Sequence, residues 1–189
     1  VATGLGIWGF AAAALGLVLA WAYSMPPVRL KQNGWWGNLA CGLSYEGLAW
    51  ITGAAVMAGG ALPEARSLLL ALLYSIGAHG IMTLNDFKSV QGDRRMGVGS
   101  LPVRLGVALA ARVACLVMVA AQLAVIALLF LWDRPGHAAV IVALLVGQLL
   151  MMARLLRRPE QLDVWYNAAG VPLYVLGMLV SALAVRTLP

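Results

Sequence analysis

Val113-Ala114-Cys115-Leu116-Val117-Met118-Val119-Ala120-Ala121-Gln122-Leu123-Ala124-Val125-Ile126-Ala127-Leu128-Leu129-Phe130-Leu131-Trp132 is a run of 20 residues without a charge. As an α-helix it rises about 30 Å, the thickness of a bilayer's hydrocarbon core. Five other runs resemble it: about Gly4–Tyr23, Gly37–Met57, Ser67–Leu84, Ala138–Ala153 and Val164–Val185. Ala138–Ala153 is the short one, and His137 and Arg154 can snorkel at its ends. The runs are continuous and rich in Leu and Ala, so they do not alternate as barrel strands do. Helices satisfy their own backbone hydrogen bonds, which lipid demands. The expected fold is an all-α polytopic membrane bundle with six transmembrane helices. No linker is long enough to separate one domain from another, so residues 1–189 form one unit.

Composition agrees. Hydrophobic residues make up 62% of the chain and charged residues 11%, against roughly 25% charged in a soluble domain. The formal net charge of +6 could suit nucleic acid. In so apolar a chain it points instead to anionic lipid headgroups or a phosphorylated substrate. Cys41 and Cys115 lie inside apolar runs and read as small buried hydrophobes, with no disulfide or metal spacing. Val1 opens directly into an apolar run with no basic n-region, so no signal peptide is read.

The loops orient the bundle. Arg29 and Lys31 follow the first run, Lys88, Arg94, Arg95 and Arg104 the third, and Arg154, Arg157 and Arg158 the fifth. These are nine of the 13 basic residues, and the loops alternate correctly for one side of a membrane. The positive-inside rule makes that side cytoplasmic. Trp35, Trp36, Trp132, Trp165 and Tyr166 fall at expected helix ends, where an interfacial aromatic belt is the plain reading and stacking on a flat ligand the sharper one.

The loop from Asn85 to Arg104 concentrates both signs of charge. Asp86 and Asp93 are seven residues apart; on a continuous helix they would share a face about 10 Å apart. Two such carboxylates can each hold a Mg²⁺ whose other ligands are water and phosphate oxygens. Lys88, Arg94 and Arg95 would then neutralise the same phosphates. The plain alternative is a solvated loop of mixed charge. Arg29 and Lys31 follow Pro26 and Pro27; on an extended segment they point the same way, and topology alone could also explain them. Glu46 is the one acid inside an expected span, by default a functional group with an unknown partner. His79 reads as a structural histidine with a lesser prospect of substrate contact. Tyr166 and Asn167 read as caps or hydrogen-bonding groups at the start of the last helix.

Asn85-Asp86-Phe87-Lys88-Ser89-Val90-x-Gly92-Asp93-Arg94, followed by Gly97 and Ser100-Leu101-Pro102-Val103, resembles the second aspartate-rich motif of the UbiA-type intramembrane prenyltransferases. Within them it is most similar to the chlorophyll and bacteriochlorophyll synthase branch. Trp21-Ala22-Tyr23-Ser24 with Pro27, Arg29-Leu30-Lys31 and Gly34-Trp35-Trp36-Gly37 resembles the same branch. So do Tyr45-Glu46-Gly47, Gly77-Ala78-His79-Gly80-Ile81-Met82-Thr83-Leu84 and Trp165-Tyr166-Asn167. The resemblance implies transfer of a geranylgeranyl or phytyl group from its diphosphate to the propionate of a (bacterio)chlorophyllide. It implies Mg²⁺ on Asp86 and Asp93, with Arg29, Lys31, Lys88 and Arg94 on phosphate oxygens and Tyr23, Asn85, Glu46 and His79 among substrate-binding positions. It also implies a lipid bilayer setting, no nucleic acid, and pigment-assembly proteins as partners, in a bacterial cytoplasmic or intracytoplasmic membrane.

That family has nine helices and two aspartate-rich motifs. The six runs here match its last six, and no first motif of the Asn-x-x-x-Asp-x-x-x-Asp type occurs. The expectation is a chain truncated at its N-terminus, carrying half the metal site and little or no activity alone. Two other readings stay open: a prenyltransferase acting on an aromatic quinone precursor, and a non-catalytic pigment-binding scaffold. A carrier fits less well, because carriers put their ionisable groups at the midplane and the charges here cluster at one surface.

Overall fold

The computed structural model describes residues 2–186. Five helices are long and apolar enough to cross a membrane: Gly6–Ser24, Ala65–Arg95, Val107–Leu131, Pro135–Leu155 and Pro159–Arg186. In order, α1 spans Ala2–Ser24, α2 Gly34–Gly42, α3 Ala49–Met57, α4 Ala65–Asn85 and α5 Val90–Arg95. Then come α6 Leu101–Leu105, α7 Val107–Leu131, α8 Pro135–Leu155, α9 Pro159–Ala169 and α10 Val171–Arg186. No strand occurs among the described residues.

The expected span at 37–57 differs from the rest. It is built from α2, a π-helical segment Leu43–Leu48, and α3 in direct succession. The expected six continuous helices are thus five plus this composite. A π turn inserts an extra residue per turn and widens the helix locally; Glu46 sits in it.

α4 is the central element and packs most extensively on α7 and α2. Its sequence explains why. Gly77, Ala78 and Gly80 leave its surface bare, so neighbouring backbones can approach closely, as small residues allow in membranes. A Cβ on Gly80 would collide with the Ala114 carbonyl of α7. One on Gly42 of α2 would lie 2.6 Å from the Ser75 carbonyl oxygen of α4. Large apolar side chains also face outward: Leu116, Leu123 and Phe130 of α7 are exposed, while Ala114, Met118, Ala121 and Gln122 are buried. That inverts the soluble pattern and suits a lipid solvent.

Several polar groups inside the bundle find partners across helices, although among the described residues both His79 ring nitrogens and Gln122 Oε1 are buried without one. The Gln148 amide on α8 donates to the Tyr166 hydroxyl at 3.0 Å and accepts from Gln122 of α7 at 2.5 Å. The Tyr174 hydroxyl donates to the Tyr74 carbonyl at 2.9 Å, and the Tyr74 and Ser181 hydroxyls lie 2.7 Å apart. Such bonds hold helices together where burial in lipid supplies no hydrophobic drive.

Three local expectations need correction. The helical run continues through Asp86 and Asp93, but not as a regular α-helix: α4 ends at Asn85, Asp86–Ser89 forms a 3₁₀ turn, and α5 follows. The segment after Pro27 is not extended: Arg29 is left-handed at φ 40° and Leu30–Gln32 is a 3₁₀ turn. Tyr166 and Asn167 do not start a helix or join a belt; they lie within α9, and Tyr166 is fully buried in the core.

Candidate active site

Two loops more than sixty residues apart in sequence are knitted together at one end of the bundle. The Gly34 amide donates to the Gly99 carbonyl at 2.9 Å, and the Gly99 amide donates to the Gln32 carbonyl at 3.1 Å. The contact needs glycine at 34, because a Cβ there would strike the Leu101 amide. Arg29 opens this loop in the left-handed region, which L-residues other than Asn and Asp rarely occupy and which concentrates at functional sites. The clasp sets Arg29 and Lys31 against the loop that carries Asp93.

Beneath the clasp lies a polar cavity of about 230 Å³. Tyr23, Arg29, Lys31, Asn38, Asp86, Ser89, Asp93 and Ser100 line it. Asp86 is held by α2: the Asn38 amide donates to its Oδ2 at 3.1 Å. Asp93 is held from its own turn: the Ser89 hydroxyl lies 2.9 Å from its Oδ2 and 3.0 Å from the Asp86 carbonyl. Each carboxylate therefore has one oxygen occupied by a neutral donor. Among the described residues neither forms an ion pair with a basic side chain; the ion pair found joins Arg66 and Glu64 elsewhere. Arg29 Nε and Ser100 Oγ are buried with no hydrogen-bond partner. A cavity that gathers both signs of charge without pairing them is complementary to a ligand carrying both, such as a phosphate group with its cation.

A second, larger cavity of about 530 Å³ runs down between α1, α2 and α4. Its walls are mostly apolar or small: Gly16, Leu19, Ala20, Ala40, Cys41 and Met82. Cys41 is thus a half-buried wall residue and not a core one. Tyr23, Asn38, Asp86 and Ser89 line both cavities, so the polar space opens into the apolar one at that ring.

Sequence-derived candidates divide accordingly. Asp86, Asp93, Arg29, Lys31 and Tyr23 come together in the polar cavity. Asn85 and Lys88 line the mouth of the apolar one. Arg94 is exposed and lines neither. Glu46 is half-buried in the π segment and also lines neither, although Ser44 and Tyr45 beside it do. His79 faces a separate apolar groove with Trp35, Trp36 and Ile76, its ring stacked on Trp35 at 5.5 Å. Asn38, Ser89 and Ser100 are not among the candidate site residues read from the sequence, although Ser89 and Ser100 fall within the aspartate-rich motif. The signal that could find Asn38 is a polar residue within an apolar run; for Ser89 it is four-residue spacing from Asp93.

Among the described residues no three His, Cys, Asp or Glu side chains cluster as an all-protein metal cage. The Asp86–Asp93 pair, each with an uncommitted oxygen, fits a hard divalent cation that keeps water and phosphate ligands.

Known proteins agree with this architecture. A solved structure of digeranylgeranylglyceryl phosphate synthase superposes with a TM-score of 0.74 over 96% of this chain and 63% of that one, at 18% identity. The bacteriochlorophyll synthase 33 kDa chain of Cereibacter sphaeroides is 57% identical over 184 residues, 97% of this chain and 61% of that relative. The corresponding chain of Rhodobacter capsulatus is 50% identical over 184 residues, 96% of this chain and 60% of the relative. The chain thus spans about three fifths of the length of these relatives. The profile of the UbiA prenyltransferase family matches residues 1–185, and with apolar membrane-crossing helices and that fold, the chain is an integral membrane protein that belongs to the UbiA prenyltransferase family.

Proposed function

We propose that this chain is the greater portion of an enzyme that esterifies the propionate of a (bacterio)chlorophyllide with a C20 prenyl group taken from its diphosphate. The observation that carries the reading is the junction at Tyr23, Asn38, Asp86 and Ser89, where a charged cavity opens into an apolar one. A prenyl diphosphate has that same division between anionic head and greasy tail. The acceptor and donor rest on 57% identity to a bacteriochlorophyll synthase chain.

Asp86 and Asp93 would hold Mg²⁺, whose chemistry is to neutralise charge on the departing diphosphate. Arg29 and Lys31, which line the same cavity, bind the same oxygens. The allylic C1–O bond breaks with its electron pair leaving on the diphosphate. A carboxylate oxygen of the pigment then forms the new C–O bond. That carboxylate is already ionised at neutral pH, so no base is needed from the chain. The apolar wall of Gly16, Leu19 and Ala20 keeps water from the cation-like carbon. The basic loops support a cytoplasmic position for this site, by the positive-inside rule.

The test is a membrane assay with bacteriochlorophyllide, geranylgeranyl diphosphate and Mg²⁺, counting esterified pigment by chromatography. The full-length protein is expected to make product, residues 1–189 alone little or none, and full-length Asp86→Asn and Asp93→Asn at least about a hundredfold less. Pigment binding with no product from any form would overturn the reading in favour of a scaffold.

A further inference from the structure

We infer that Asn38 is a positioning residue that decides which oxygen of Asp86 faces the cation and its diphosphate. The inference rests on the reading of Asp86 and Asp93 as a cation–diphosphate site.

The proton count fixes the orientation of the Asn38 side chain. The Thr83 hydroxyl donates its single proton to the His79 carbonyl, at 2.9 Å, one turn back in α4. Its oxygen is then left as an acceptor. The Asp86 carboxylate is also an acceptor only. Asn38 Nδ2 lies 3.2 Å from Thr83 Oγ1 and 3.1 Å from Asp86 Oδ2. Its two N–H groups meet two acceptors, and the flipped amide, with its oxygen toward a carboxylate, is excluded. Asn38 is 6% exposed and Thr83 fully buried, so the Asn38–Thr83 bond is shielded from water.

The consequence reaches Asp86. Oδ2 is tethered across the helix interface to α2, and Oδ1 is the oxygen left free. The tether comes from a helix that is itself pinned: the Gly34 amide, one turn before Asn38, is bonded to Gly99 in the clasp. The His79 carbonyl, Thr83, Asn38 and Asp86 thus form a chain of donors and acceptors linking α4 to α2 and back. Outer partners that orient metal-binding side chains are worth about 10–100-fold in metal affinity.

The experiment measures Mn²⁺ binding to the full-length protein in detergent by electron paramagnetic resonance, with inorganic diphosphate present and absent. Variants are Asn38→Leu, Thr83→Val, Thr83→Ser and Asp86→Asn, with thermal melting measured in parallel. Wild type is expected to bind Mn²⁺ with diphosphate and Asp86→Asn to lose that binding. Asn38→Leu is expected to weaken it about 10–100-fold, and Thr83→Val to weaken it less, in the same direction. Thr83→Ser, which keeps the hydroxyl, is expected to restore wild-type affinity. Should Asn38→Leu not fold, the Val–Ser contrast at Thr83 decides alone, because the two variants differ in the hydroxyl that orients Asn38. Unchanged Mn²⁺ affinity in folded Asn38→Leu and in Thr83→Val, with binding lost in Asp86→Asn, overturns the inference and leaves the site reading standing. Absence of diphosphate-dependent Mn²⁺ binding in wild type overturns both.

Discussion

A serine hydroxyl has one proton, and Ser89 faces two acceptors with it: the Asp86 carbonyl and Asp93 Oδ2. The charged acceptor is the stronger partner, so Ser89 chiefly steadies Asp93. Ser89→Ala is expected to lower kcat about tenfold, in the range for outer-shell partners, without lowering the melting temperature. A large stability loss with unchanged kcat would show instead that the serine merely closes the turn. On the proposed function, Asp86→Asn and Asp93→Asn remove charge where the diphosphate would depart; each is expected to cost at least about a hundredfold in kcat, the scale of losing one preorganised electrostatic group. Charge makes these two aspartates legible in sequence, because acids in a chain this apolar stand out. Asn38, Ser89 and Ser100 are neutral, and neutral polar residues in membrane helices usually bond between helices. Asn38 takes its meaning from Asp86, 48 positions away, and no local pattern records that.

At the scale of elements, the site depends on how closely α2 lies on α4. Gly42 sets that distance, since a Cβ there would come within 2.6 Å of the Ser75 carbonyl and 3.3 Å of the His79 amide. Both are backbone atoms and cannot swing aside. Gly42→Val is expected to force the helices apart at a cost of about 1–3 kcal/mol, read as a lower melting temperature in detergent. Because Asn38 rides on the same helix, Asp86 should lose its tether, so activity should fall together with stability. A melting temperature equal to wild type would mean the interface yields without strain. The small residues of this interface are legible as permission for close packing, but not which helix approaches. The π segment is not legible at all: one extra residue in a turn leaves the apolar run at 37–57 unchanged in composition. Likewise, the 3₁₀ turn after Asn85 interrupts the regular α-helical spacing between Asp86 and Asp93, although both line one cavity.

The whole molecule is ordered by lipid on the outside and charge at one end. The bundle is legible because a membrane helix is a long, nearly uncharged run, and apart from Glu46 the acids stand between runs. Sidedness follows from the same rule and can be tested on it. α4 has 21 residues and rises about 31 Å, enough to put its two ends on opposite faces of a bilayer. Ala61, in the exposed loop before α4, and Arg95, exposed at the end of α5, therefore belong to opposite sides. Nine of 13 basic residues lie on loops of the Arg95 side, so the positive-inside rule predicts that side to be cytoplasmic. In full-length protein with its native cysteines, Cys41 and Cys115 included, replaced by alanine, Ala61→Cys should react with a membrane-impermeant maleimide in intact spheroplasts, and Arg95→Cys should not. Inverted vesicles should reverse the result. Labelling of both from one side would mean that α4 does not cross the membrane. Labelling of Arg95→Cys alone in spheroplasts would put the Asp86–Asp93 cavity on the outer face, away from a cytoplasmic supply of prenyl diphosphate, and the proposed transferase would lose its substrate access along with its orientation.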